Sequence, residues 1–177
     1  ISGMPQRADN GTLTIMFGGA ADDFADAQAY LNVTGEFVVH CGEVGTGQLM
    51  KAFNNVIYDI NIAAFCELLP LALRAGLDQD VLAKVVTSGS SRSFASEYFV
   101  PRILAGEFRD DFSLSAAYKD IQNLQETATR LHAMTPLTSA MVAVYQQAIA
   151  QGYGDEPKSS MIKVYEQQLG IEFRHDG

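Results

Sequence analysis

GEVGTGQLMKAFNNVIYDINIAAFCELLPLALR, Gly42 to Arg74, is the stretch on which the fold turns. From Thr46 the apolar residues fall at helical spacing and continue to Arg74, with Gly76 placed as a C-terminal stop. That predicts one helix of around 28 residues, about 42 Å long at 1.5 Å rise per residue. Pro70 lies inside it and predicts a kink. A surface that is apolar nearly all round is the mark of a helix buried on most sides. The richest part, Val56 to Leu73, is interrupted by Asp59, Asn61 and Glu67, so it reads as a core helix rather than a membrane span.

Upstream, Thr12 to Phe17 and Phe37 to His40 are short and rich in β-formers, and they read as strands around a helix over Ala21 to Leu31. Two strands do not make a stable sheet alone. They predict the edge of a sheet whose other strands lie elsewhere. Downstream, Asp78 caps a helix over Gln79 to Val86, and others are expected at Ala95 to Leu104, Ser115 to Met134, Pro136 to Gln151 and Ser159 to Leu169. Nothing after Thr46 reads as a strand. The expected division is a β-containing lead-in over residues 1–42 and an all-helical domain over residues 43–177.

The bulk properties exclude several classes. An apolar fraction of 47% with 19% charged residues describes a globular chain, not a disordered one. A formal charge of −9 with scattered Lys and Arg argues against nucleic acid as a partner. Cys41 and Cys66 have neither metal-ligand spacing nor the density of a disulfide scaffold, so both read as reduced, buried thiols of a cytoplasmic protein. His40, His132 and His175 are too far apart in sequence to form a ligand pattern, and no metal is expected. The chain opens on Ile1-Ser2-Gly3 without Met or a leader, as a fragment or processed product would.

The glycines of the opening stretch invite a nucleotide loop, but the order Gly42-x-x-Gly45-x-Gly47 does not match Gly-x-Gly-x-x-Gly. No Gly-Lys-Ser/Thr follows either. These glycines are better read as letting the backbone turn sharply and approach a neighbouring chain or ligand. The polar residues on the helix need a separate account. Lys51, Asn55, Tyr58 or Asp59, and Ile62 share a face, with Asn54 beside it. Desolvation makes an amine give up its proton more readily, which suits a general acid or base. The plain alternative is a lysine near a helix start reaching solvent, with Asn55 bonded to a loop.

Three ordered motifs resemble the β-hydroxyacid dehydrogenase family, the group of 3-hydroxyisobutyrate dehydrogenase and tartronate semialdehyde reductase, related to 6-phosphogluconate dehydrogenase. They are Ile1-Ser2-Gly3 with Asn10 to Gly19, then Gly45-x-Gly47-x-x-x-Lys51-x-x-Asn54-Asn55, then Phe112 with Lys119-Asp120. The resemblance implies a mainly α fold, a 6-phosphogluconate dehydrogenase-like helical bundle around a long central helix, behind a remnant of a Rossmann-domain edge. It implies hydride transfer between NAD or NADP, held mainly by a Rossmann domain outside this chain, and a small 3-hydroxy acid or its semialdehyde. Lys51 would exchange the hydroxyl proton and Asn55 would bind the same oxygen or orient the lysine. Ser2 and the Gly3 N–H would hold the substrate carboxylate, with Asn54, Phe112 and Asp120 beside the substrate and Lys119 at the cofactor. A homodimer or homotetramer through the helical domain is also implied, with neither nucleic acid nor membrane as partner. Met4 stands where the family has a second glycine and would narrow the carboxylate pocket or alter how the backbone N–H groups point, while Arg7 offers an extra anion contact. The competing functions are an inactive dimerisation scaffold of the same fold and a helical interaction module without redox chemistry.

Overall fold

The computed structural model describes residues 1–109 and 112–175, without the side chains of residues 4–6. The chain forms two compact units, one over Ile1–Asn55 and one from Val56 onward.

In the first unit, strands β1 (Leu13–Phe17) and β2 (Gly35–His40) run parallel, joined by helix α2 (Ala21–Thr34). Parallel strands need such a crossover, and a helix is its usual form. The register runs from Thr14 opposite Phe37 to Phe17 opposite His40, and Leu13 and Ile15 point to the buried side. No residue of α2 is buried, and Tyr30, Val33 and Phe37 stand exposed. Ser2 adds an antiparallel bridge to β1, its N–H donating to Thr14 O at 2.8 Å and its carbonyl accepting from Thr14 N at 2.9 Å. Between them Met4–Asp9 forms helix α1, which the sequence reading did not contain. Six residues are too few for periodicity to declare a helix.

Helix α3 spans Thr46–Arg74 with Pro70 inside, as its spacing predicts. The second unit continues with α4 (Gln79–Ser88), α5 (Phe94–Leu104), α6 (Leu114–Arg130) and α7 (Pro136–Ala148). A π-helical turn (Ile149–Tyr153), a 3-10 turn (Lys158–Met161) and α8 (Ile162–Leu169) follow. The expected stops and starts are chemical. The Asp78 carboxylate accepts from Asp80 N at 3.0 Å and Val81 N at 2.9 Å, Ser93 and Ser96 form a capping box, and Gly170 ends α8 at φ 63°. Helix α6 ends at Arg130 rather than Met134, because its buried stripe of Leu114, Ala117, Ile121 and Leu124 runs out there. Leu131 and Met134 are exposed.

The core of the second unit gathers Ile62, Leu69, Phe99, Ile121, Met161 and Phe173. Helix α3 enters it with one side only. Ile57, Leu68 and Leu71 are exposed, so the expectation of a helix buried on most sides is corrected. By length and composition alone α3 would cross a bilayer, yet Asp59 on it is 1% exposed and ion-paired inside the unit, which marks a core helix.

Candidate active site

The glycine turn opens the site. Gly42 at φ 113° and Gly45 at φ 96° take conformations that side chains rarely adopt, while Gly47 serves a close approach. A Cβ on Gly47 would lie 2.4 Å from Met16 O, and one on Gly18 would lie 2.7 Å from Gly47 N. The first turn of α3 is therefore packed directly on the end of β1. Cys41 N–H donates to Phe17 O at 2.7 Å, Gly19 N–H donates to Gly42 O at 2.8 Å, and His40 Nε2 lies 2.7 Å from Gly19 O. What Gly47 approaches is the chain's own backbone, where a neighbouring chain or ligand was expected.

This packing sets the place of Lys51, one turn into α3. Its side chain is half-buried rather than buried, and Asn55 one turn further on is likewise half-buried, while Asn54 is exposed. Lys51 stands within electrostatic reach of the backbone of Ile1, the residue next to Ser2. Ser2 is half-buried and its backbone is fixed on Thr14. Gly3 has φ 146°, and a Cβ there would meet Leu13 Cδ2 at 2.9 Å. The first unit thus brings Lys51 near the Ser2-Gly3 stretch. Arg7 is not a free anion contact; it donates to Glu36 at 3.4 Å. The Met4 side chain, expected to narrow the pocket, lies outside the described residues. Cys41, expected to be buried, is half-buried, and both cysteines are free.

The second unit carries the remaining residues of the expected site. Phe112 is 50% exposed, Lys119 is exposed on α6, and Asp120 beside it is half-buried. Sequence reasoning offered Tyr58 or Asp59 for the polar face of α3 and missed the partner of Asp59. Lys158 Nζ donates to Asp59 Oδ1 at 2.5 Å, and both residues are almost fully buried. Burial pushes the Asp59 carboxyl up, Lys158 pulls it down without prevailing, and the Asp120 charge adds to the rise. Tyr145 is fully buried with its hydroxyl close enough to Asp59 to couple to it, although no partner meets good hydrogen-bond geometry. The available signal was a carboxylate inside an apolar helix, which demands a cation from somewhere. Among the described residues no group of three His, Cys, Asp or Glu is arranged to hold a metal.

Comparison with known proteins bears on what this arrangement does. Residues 45–165 match the family model described as NAD-binding of NADP-dependent 3-hydroxyisobutyrate dehydrogenase, and residues 1–42 match that of the NAD binding domain of 6-phosphogluconate dehydrogenase. Among curated proteins the chain is 31% identical to 2-(hydroxymethyl)glutarate dehydrogenase of Eubacterium barkeri, covering 97% of this chain and 57% of that one. It is 34% identical to human mitochondrial 3-hydroxyisobutyrate dehydrogenase, covering 92% of this chain and 51% of that protein. The crystal structure of a 3-hydroxyisobutyrate dehydrogenase from Salmonella typhimurium superposes with TM-score 0.85 at 28% identity, over 92% of this chain and 57% of that one. The chain spans about half the length of the curated relatives it matches.

Proposed function

This chain belongs to the 3-hydroxyisobutyrate dehydrogenase family, and on that footing we propose that it is the substrate-binding and catalytic-lysine part of an NAD(P)-dependent 3-hydroxy acid dehydrogenase. The proposed reaction interconverts a small 3-hydroxy acid and its semialdehyde or keto form. When bound, the nicotinamide ring supplies the hydride acceptor or donor. This chain's residues do the rest. Ser2 and the Gly3 N–H hold the carboxylate, Lys51 takes the hydroxyl proton on oxidation and returns it on reduction, and Asn55 fixes the same oxygen. Asn54, Phe112 and Asp120 bind substrate, and Lys119 meets the cofactor.

The observation that supports this reading is the half-buried Lys51 within electrostatic reach of the residue before Ser2, with Asn55 one turn along. An amine there is neither a free surface charge nor a sealed structural one. It is half-buried, near the Ser2-Gly3 stretch proposed to hold the carboxylate, and carried on a helix whose start is locked to a strand. Such a placement suits proton exchange better than stability.

The test is Lys51→Ala in the full-length protein, assayed with a panel of small 3-hydroxy acids and semialdehydes and both cofactors. Turnover is expected to fall at least ~10²-fold, as loss of a general acid-base group produces. Activity equal to wild type refutes the role of Lys51. A wild-type protein inert toward the whole panel supports the alternative of a non-catalytic scaffold. The curated relatives named above include a mitochondrial one, so a cytoplasmic location belongs to the proposal and not to the family.

A further inference from the structure

The seat of α3 on the end of β1 is built from residues that have no side chains to hold it. Gly18 and Gly47 meet backbone to backbone, and Gly19 follows at once. Glycine leaves a given backbone conformation more freely than any other residue, so two in succession make a loose joint where a close contact has to be kept. Something must fix it. Gly19 is held at both of its polar groups: its N–H donates to Gly42 O at 2.8 Å, and its carbonyl lies 2.7 Å from His40 Nε2. A carbonyl only accepts, so Nε2 carries the proton and donates. Among the bonds described where the turn after β1 meets the turn after β2, the other two, Gly19 to Gly42 and Cys41 to Phe17, are backbone bonds. The His40 bond is the one that a side chain makes. His40 is itself placed by packing. It ends β2 opposite Phe17, and its half-buried ring stacks on Phe24 with centroids 5.2 Å and planes 15° apart, with Phe17 at 6.2 Å. Phenylalanine would fill that place equally well. The imidazole adds a donor aimed at Gly19, which packing does not call for.

The consequence reaches the proposed chemistry. Ser2 is tied to Thr14, in the body of β1, whereas Lys51 hangs from the end of that strand, one turn beyond Gly47. Strand β1 therefore sets the spacing between the proposed carboxylate clamp and the proposed acid-base group, and the Gly18-Gly19 joint is where that spacing can slip. We propose that His40 is a positioning residue for the reaction: by donating to Gly19 O it locks Gly18 against Gly47 and so holds Lys51 at the substrate's hydroxyl. The inference rests on the reading of Lys51 as the acid-base group. A misplacement of about 1 Å at a reacting group costs on the order of 10²-fold in rate. The Ser2 bridge to Thr14 does not pass through this joint, so the loss falls on kcat and leaves KM in place.

Two substitutions in the full-length protein separate the donor from the ring. His40→Phe keeps the stack on Phe24 and removes the donor, while His40→Gln keeps a donor at similar reach and removes the ring. Both are assayed with the 3-hydroxy acid of the panel that wild type turns over fastest. His40→Phe is expected to lower kcat at least ~10-fold, with KM within about twofold of wild type and Tm near it. His40→Gln is expected to bring kcat back to within about threefold of wild type, even at a lower Tm. Wild-type kcat in His40→Phe overturns the proposal. So does His40→Gln as slow as His40→Phe, which is what lost packing or lost stability produces. If Lys51→Ala keeps wild-type activity, or wild type turns over none of the panel, the reading of Lys51 fails on its own account. Hydrogen exchange of the Gly19 and Leu49 amides, bonded to Gly42 O and Gly45 O, then decides the role of His40. Faster exchange of both in His40→Phe but not in His40→Gln supports the lock, and any other pattern overturns it.

Discussion

Gly47 is the residue on which the start of α3 depends. Its absent side chain lets the helix backbone lie against Met16 O, and a Cβ would sit 2.4 Å from that oxygen. Both contacting groups are backbone, so neither can swing aside. Gly47→Ala is expected to destabilise the protein by about 3 kcal/mol, from overpacking at a site that cannot relax. Gly45→Ala is the control. It meets nothing within 4 Å but holds φ 96°, so its cost is confined to backbone strain of about 1–2 kcal/mol. Denaturant titration of the two variants checks the order, and equal effects would show that conformation rather than contact governs the turn. The sequence said that these glycines were there for turning or approach. It did not say which glycine did which, since that depends on where β1 ends in space. Lys51, Asn55 and Ser2 could be proposed from the sequence because short motifs carry them. Lys158 was not, because it meets Asp59 across 99 residues and only the demand for some cation could be read.

Elements were legible in proportion to how much apolar periodicity they carry. The long helices declare themselves, whereas α1 over Met4–Asp9 does not, and the end of α6 is set by where its buried stripe stops. The turn before α8 shows a local electrostatic device that periodicity cannot reveal. Glu156 accepts from Ser160 Oγ at 2.6 Å and from Lys163 Nζ, tying the 3-10 turn and α8 to the loop before them. Burial works to raise its carboxyl, but the bonds from Lys163 and Ser160, with the charges of Lys163 and Arg174, outweigh that and hold it below the ordinary value. A carboxyl with a depressed folded-state pKa contributes stability above its unfolded pKa and loses it as pH falls through the folded one. Glu156→Gln is therefore expected to lower Tm by a few degrees near neutral pH, with the gap to wild type closing below about pH 4. Thermal melts between acid and neutral pH check this. A gap that persists undiminished in acid would mean that Glu156 acts through packing and not through its charge.

At the scale of the whole molecule, the parallel two-stranded sheet with an exposed α2 and Phe37 and the half-covered α3 both present apolar surface to solvent. On α3 the exposed positions Ile57, Asn61, Ala64, Leu68 and Leu71 repeat at spacings of four, three, four and three, the seam of a helix meant to lie along another helix. Ile57, Leu68 and Leu71 are 61%, 55% and 50% exposed, too much aliphatic surface on one stripe for a surface that meets only water. A second copy offers the matching seam by symmetry, since a two-fold interface needs only self-complementarity. The full-length protein is expected to sediment as a dimer or higher oligomer, and Ile57→Glu with Leu68→Glu to weaken that association at least tenfold. Salt separates this cause from a polar one. These 177 residues carry −9, so their copies repel, and screening that repulsion strengthens contact through apolar residues while it weakens contact through ion pairs. Association that tightens between about 0.05 and 0.5 M salt, and is lost in the double variant, places the interface on this stripe. Association indifferent to the two glutamates would place it elsewhere, and the stripe would then need a different cover.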